Sequence, residues 1–168
     1  MKFNNLFLTL FITLTIIACS NTEENKHARL IWDKYENGNP KTVHQFFTDT
    51  VNMTEEYYYQ EFYENGKLKM EGLEKQSLRK GEWLVYYDND DIKAKLNFDN
   101  DKLNGLIELY DKNGLVTAED FAANGYLNQR NDDIVRFLLQ YFHSENRPIW
   151  TDSLNNMLDT LTTTINKK

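Results

Sequence analysis

The chain is poor in the residues from which metal sites, disulfide frameworks and nucleophilic enzymes are built. In 168 residues it has one cysteine, Cys19, with three histidines and two prolines. A single thiol cannot close an intrachain disulfide or furnish a cysteine-rich zinc set. His27, His44 and His143 lie far apart in sequence and form no His-x-x-x-His or Glu-x-x-His unit, so no metal ligands are assigned. Ser20, Ser77, Ser144 and Ser153 are the serines, and none sits in a Gly-x-Ser-x-Gly turn. The glycines are spaced rather than clustered before a helix, which excludes a phosphate-cradling loop. Positive charge is also scarce: 19 Lys and Arg stand against 26 Asp and Glu, a net charge of −7. Nucleic acid and anionic lipid headgroups both demand a basic face, and neither is expected as a general partner.

The carboxylates do not repair this inventory. Asp88-Asn89-Asp90-Asp91 offers oxygen ligands, but an EF-hand counted from Asp88 would need Gly and Glu where Lys93 and Asp99 stand. Glu55-Glu56 and Asp132-Asp133 read as solvated turns or helix starts, and no two acids have a spacing that singles them out for acid–base work. The expectation is a non-enzyme, with no catalytic residue, no metal and no cofactor.

The one long apolar run, residues 6–18, is 13 residues and follows Lys2. That is short of the ~20 needed to span a bilayer and has the flanks of an export signal. Ile16-Ile17-Ala18-Cys19 resembles the lipobox of bacterial lipoproteins. The resemblance implies cleavage before Cys19, diacylglycerol on its sulfur and a second acyl group on the freed amine. Each buried methylene contributes about 0.8 kcal/mol, so several chains anchor firmly where one would not. The implied location is the bacterial cell envelope, at the outer membrane because no aspartate follows Cys19. Residues 1–18 are then a signal peptide and residues 19–28, polar and acidic, a tether.

What the chain has in abundance is tyrosine and the Asn-Gly dipeptide. Gly38, Gly66, Gly105, Gly114 and Gly125 each follow an asparagine, and Gly81 opens a further segment. Asn-Gly supplies the two positive-φ positions of a tight β-turn. Between these turns run alternating segments, clearest in Ile92, Ala94, Leu96 and Phe98 against Lys93, Lys95, Asn97 and Asp99. Tyr63, Tyr87 and Tyr110 recur at 24 and 23 residues, as do Leu68, Ile92 and Leu115; Phe98 and Phe121 recur at 23. Gly81 lies six residues before Tyr87 and Gly105 five before Tyr110, a difference that a bulge would absorb. Tyr35-Glu36-Asn37-Gly38 repeats as Tyr63-Glu64-Asn65-Gly66 at a distance of 28.

Tyr63-Glu64-Asn65-Gly66-Lys67-Leu68, Gly81-Glu82-Trp83 and Tyr110-Asp111-Lys112-Asn113-Gly114 resemble the bacterial variant of membrane occupation and recognition nexus (MORN) repeats. The resemblance covers residues 31–126 and implies antiparallel hairpins in an elongated sheet, with a role in binding. It departs at Asp91, which stands where glycine is usual, and in the first copy, broken by Pro40. Three hairpins and a degenerate fourth are expected across residues 29–126.

The period then becomes helical. Ile134, Phe137, Leu138, Tyr141 and Phe142 share one face, with Asn131 as N-cap. Leu154, Met157, Leu158 and Leu161 outline a second helix after Pro148, so residues 127–168 read as an αα-hairpin capping the sheet. The fold class is therefore mainly β, an antiparallel hairpin-repeat meander followed by helices.

Sequential aromatics alternate sides of a strand, so Tyr58 and Tyr86 are placed opposite Tyr59 and Tyr87 as a binding face. The function expected is a lipid-anchored, non-catalytic module for a protein or polysaccharide ligand. The alternative is an antitoxin or immunity-like protein that neutralises a toxin at the membrane, for which an acidic chain suits a basic partner.

Overall fold

The computed structural model describes residues 27–129 and 131–142. Cys19, the signal segment and the second helix expected around Leu154 to Leu161 lie outside those residues. Among the described residues, antiparallel strands form one sheet: β1 (Arg29–Lys34), β2 (Pro40–Phe46), β3 (Glu56–Phe62), β4 (Leu68–Lys75), β5 (Leu78–Tyr86), β6 (Ile92–Asp99), β7 (Lys102–Leu103), β8 (Gly105–Tyr110), β9 (Val116–Ala123) and β10 (Tyr126–Leu127). They follow chain order across the sheet, with β7 a short side branch on β6. A helix, α1 (Asp132–Phe142), follows. Pro40, expected to break the first copy, instead opens β2 at its pairing with Lys34. It sits at the first residue of a strand, where the missing N–H is tolerated.

The true repeat is 24 residues, and it corrects the alignment drawn from the tyrosines. The pairs that close the hairpins at one end of the sheet are Phe62↔Leu68, Tyr86↔Ile92 and Tyr110↔Val116. Tyr110 therefore matches Tyr86, and Asp111 takes the place of Tyr63 and Tyr87. Phe98 likewise matches Ala122, which leaves Phe121 on the opposite face. With Asp111 as the equivalent, the distance from Gly105 equals that from Gly81 to Tyr87, and no extra bulge is needed. Each hairpin instead carries its register shift beside the turn, at Glu61/Phe62, Val85/Tyr86 and Leu109/Tyr110.

The Asn-Gly corners also work differently from expectation. Gly38, Gly66 and Gly114 have positive φ, but Asn37, Asn65 and Asn113 do not. Each turn is closed by two backbone bonds, such as Gly66 N–H to Tyr63 O at 2.9 Å and Tyr63 N–H to Lys67 O at 2.8 Å. The pattern is that of a type I turn ending in a left-handed residue, which needs one glycine rather than two. Asn37 and Asn65 act through the side chain: each Oδ1 accepts the amide two residues on, at 2.9 and 3.0 Å. In the third copy Asp90 occupies the glycine position, with φ 74°, so the departure from glycine falls on Asp90 and not on Asp91. At the sheet's other end the two-residue corners with both φ positive are Gln76-Ser77, Asn100-Asp101 and Asn124-Gly125, again 24 apart. Only the last is Asn-Gly.

One face of the sheet is the core. Met70, Val85, Ala94, Leu109 and Ala118 form one row across five strands, and Tyr59, Gly72, Trp83 and Leu96 the next. α1 lies on this face. Asn131 caps it, its Oδ1 accepting the amides of Asp133 and Ile134 at 3.0 and 3.3 Å. Ile134, Phe137, Leu138, Tyr141 and Phe142 are all buried in the cluster with Ala94, Ala118 and Ala122, whose small side chains let the helix approach the strands. Burial of each large side chain contributes roughly 2 kcal/mol, which a lone sheet face in water would forfeit.

Candidate binding site

The hairpin turns bring repeated side chains to one end of the core-bearing face, beyond the helix. Tyr35 donates its hydroxyl to Phe62 O, Tyr63 to Tyr86 O and Tyr87 to Tyr110 O, each at 2.7 Å. Every tyrosine thus reaches the backbone of the next copy. The series stops at Asp111, whose carboxylate turns back to accept the amides of Asn113 and Leu115 at 2.8 and 2.9 Å and is held below the usual aspartate range by them.

The bulge beside each turn adds a lysine to the same place, Lys69 in one copy and Lys93 in the next. Tyr141, near the end of α1, enters between them. Lys93 Nζ donates to the Tyr141 hydroxyl at 2.7 Å and lies 4.7 Å from that ring's centre and 5.0 Å from that of Tyr87. Lys69 is paired with Glu61, a carboxylate only 1% exposed. Burial lowers the Lys93 pKa, with nearby Lys112 pushing the same way and Tyr87 opposing. Burial and the neighbouring Tyr141 raise that of Tyr63.

Two clefts share Tyr87 and Lys93. One, of about 430 Å³, is lined by Tyr63, Glu64, Asn65, Tyr87, Asp88 and Lys93. The other, about 240 Å³, runs between the strand ends and α1 past Tyr110, Arg136 and Gln140. Volumes of this order suit small ligands or one segment of a larger one. Nothing in the lining provides a nucleophile hydrogen-bonded to a base. Among the described residues no group of three or more His, Cys, Asp or Glu is disposed to hold a metal ion, and no helix is long and apolar enough to cross a membrane.

Tyr58 and Tyr86 both lie on the opposite face of the sheet but not together. Tyr58 pairs with Leu73, whereas Tyr86 pairs with Ile92, and the row of Gln60, Glu71 and Leu84 lies between. Tyr58 is 43% exposed and meets Phe47 edge-on at 5.6 Å. Tyr86 is half-buried and donates to Glu71 Oε1 at 2.8 Å; burial and that bond raise its pKa. The larger apolar exposure on this face lies elsewhere, in Leu106, Phe121 and Tyr126, which are 44, 55 and 50% exposed. Leu106 pairs directly with Phe121. Sequence reasoning missed this patch because the 23-residue spacing matched Phe121 to Phe98, whereas Ala122 is the equivalent of Phe98. It set Lys93 on the polar face with Lys95, because alternation does not register the bulge that turns Lys69 and Lys93 to the core-bearing face. The glycines named as turns are placed as follows: Gly38, Gly66 and Gly114 close type I corners, Gly125 a two-residue corner, and Gly81 and Gly105 begin matching stretches of β5 and β8, all at positive φ.

The family model for the MORN repeat variant matches residues 54–73 and 79–100, which are the β3–β4 and β5–β6 hairpins. The chain therefore carries MORN-type repeats, a class of module that generally binds. Among solved structures it is similar to a mutant of S. aureus TarM in complex with Fondaparinux, alpha-GlcNAc-glycerol and UDP, at 8% identity and a TM-score of 0.39, covering 68% of this chain and 23% of that one. A GtfA/B complex gives 14% identity and a TM-score of 0.34, covering 61 and 22%. The chain spans less than a quarter of these proteins. No curated protein matches it.

Proposed function

We propose that this protein is a non-catalytic binding module for a protein or polysaccharide ligand, held in the bacterial cell envelope by lipid on Cys19. The observation that carries the binding role is repetition of function-bearing side chains along with the fold. Successive copies set Tyr63 with Lys69 and Tyr87 with Lys93 at one open end of the sheet, and none of them joins an acid–base or nucleophile constellation. A hairpin needs its turn glycine and its alternating core; it does not need a lysine held between aromatic rings. The exposed Leu106, Phe121 and Tyr126 on the other face supply the kind of apolar anchor that protein partners use. The anchor rests on the lipobox resemblance at Ile16 to Cys19.

The test has two arms. Metabolic labelling with a fatty acid should mark the chain and fail with Cys19→Ser, and labelling that survives that change would overturn the anchor. Cross-linking and capture with the full lipidated chain in detergent should recover a partner or glycan, and Phe121→Asp or Lys93→Gln should reduce recovery. Turnover of a substrate that disappears on mutation of one polar residue would overturn the non-catalytic reading. If the partner recovered is a basic toxin, the immunity role is the correct form of it.

A further inference from the structure

Comparison of the copies isolates Lys93. Its equivalent, Lys69, is paired with Glu61, and the residue 24 positions after Glu61 is Val85, which is fully buried and apolar. The repeat has therefore kept the lysine and replaced its counter-ion. Among the described residues no carboxylate lies within ion-pair distance of Lys93, although the chain as a whole is acidic. Its hydrogen bond goes to the neutral Tyr141 hydroxyl and its charge rests on the rings of Tyr87 and Tyr141.

A second cation shares this environment. Lys112 Nζ lies 5.7 Å from the centre of the Tyr87 ring, and it too has no carboxylate at ion-pair distance among the described residues. The other charges nearby are already committed or stand apart: Arg136 pairs with Asp133 at 3.7 Å, and Lys69 with Glu61. Lys112 lines the neighbouring cleft with Lys95 and Tyr110, and its charge adds to that of Lys93 beside the Tyr87 ring, so an anion at Lys93 is drawn by both. A half-buried cation gains most from such a partner, because the low-dielectric surroundings strengthen the pair.

The rest of the 430 Å³ cleft limits what the anion belongs to. Glu64, Asp88 and Asn65 line it with Lys93 and are acceptors, or acceptor and donor in the case of the amide. Carboxylates repel a polyanion such as a nucleotide triphosphate, but they accept hydrogen bonds from hydroxyl groups. A ligand that puts one carboxylate on Lys93 and hydroxyls on Glu64, Asn65 and Asp88 satisfies both sides.

We infer that the cleft between the second and third hairpin turns binds a carboxylated sugar, with Lys93 holding its carboxylate and Lys112, at the next turn, adding to the attraction. This rests on the binding reading above and narrows it to an acidic glycan at this site. The test is calorimetric titration of the full chain in detergent with glucuronate, glucose and inorganic sulfate. Glucuronate should bind and glucose should not. Lys93→Gln should weaken glucuronate at least tenfold, Lys93→Arg should retain most of the affinity, and Lys112→Gln, an exposed change that spares the core, should weaken it several-fold. Thermal melts of each variant establish that it is folded. Absence of glucuronate binding, equal binding of glucose, unchanged affinity in Lys93→Gln, or sulfate binding as tightly as the sugar would each overturn the inference. Partner capture that depends on Phe121 and persists after such a failure would leave the broader binding role intact.

Discussion

Tyr63 donates its hydroxyl to the carbonyl of Tyr86, and Tyr87 does the same to Tyr110 one copy later, both at 2.7 Å. The relationship ties each turn to the next by a bond that neither hairpin could make alone. In a sheet built of near-identical hairpins, strand pairing fixes neighbours along their length, and these hydroxyls fix the turns.

Tyr63→Phe and Tyr87→Phe should therefore each lower stability by about 1 kcal/mol, the net value of a typical hydrogen bond. For a domain of this size that is a fall in Tm of about 3 °C. Tyr58→Phe is the control, because the Tyr58 hydroxyl makes no such bond among the described residues. Urea unfolding monitored by circular dichroism is the measurement, and equal effects at all three positions would show that the inter-turn bonds contribute nothing.

Why part of this was legible in the sequence, and part not, follows from the same residues. Trp83, Val85, Ala94, Leu96 and Phe98 alternate strictly and are all buried, so the β5–β6 hairpin could be read directly. Asn131 and the stripe from Ile134 to Phe142 gave α1 in the same way. The 24-residue period was obscured because Tyr110 precedes Asp111, and a tyrosine one place early looks like a copy with a deletion. Turn chemistry was obscured because Asn65 acts through its side-chain oxygen whereas Asn124 acts through positive φ, and the dipeptide is the same. Alternation misplaced Lys93: it set Lys93 with Lys95 on the polar face, whereas Lys93, like Lys69, is the extra residue of a bulge and lies against Tyr141 on the core-bearing face.

Asp90 and Gly66 occupy the same left-handed position, and the difference between them is measurable. Asp90→Gly should stabilise the chain by up to about 1 kcal/mol by removing the penalty of a side chain at positive φ. The exposed Lys67–Asp90 pair at 2.9 Å offsets little of this. Gly66→Ala should cost about 1 kcal/mol for the converse reason. A thermal melt decides both, and destabilisation by Asp90→Gly would show that the Asp90 side chain holds the turn.

Gly72 answers to packing rather than to turn geometry, and no spacing marks it. It pairs with Trp83, and a Cβ placed on Gly72 would stand 2.3 Å from the indole. The tryptophan lies flat over the glycine and donates its ring N–H to Leu73 O at 3.2 Å. Gly72→Ala must push the indole out of a buried site, so it should cost about 3 kcal/mol, the upper range for overpacking. Trp83 fluorescence should shift to longer wavelength at the same time. An unshifted spectrum with unchanged stability would contradict the close packing.

Alkaline pH should unfold the chain through its tyrosines. The pKa values of Tyr63 and Tyr86 are raised above 10.0 in the folded protein, chiefly by burial. Below pH 10 both states are protonated and the stabilisation is complete. As pH rises from there, the unfolded chain ionises first, and stability is lost progressively until the folded groups also titrate. Lys93 has the opposite sign, because its folded pKa lies below 10.5 and its unfavourable charge disappears as pH rises. Tyr63→Phe should flatten the alkaline loss, and Lys93→Gln should steepen it, in melts recorded between about pH 8 and 11.

Arg79 offers the sharpest test of the repeat as an energetic unit. It pairs with Glu74 just as Leu103 pairs with Phe98 and Leu127 with Ala122, so a buried arginine stands where later copies have leucine. Its guanidinium lies 4.9 and 5.3 Å from the rings of Phe98 and Phe142, and its Nε donates to Asp101 at 2.5 Å. Burying an ion pair is offset by desolvation, and a well-packed apolar replacement is often as stable. Arg79→Ala, which leaves Asp101 unpaired and a cavity beneath Phe142, should cost about 3 kcal/mol. Arg79→Leu combined with Asp101→Asn should recover most of that, because both the cavity and the stranded charge are removed. If the double variant is no more stable than Arg79→Ala in urea unfolding, the arginine holds the sheet to α1 through the rings themselves, and the leucines of the later copies are not its equivalents.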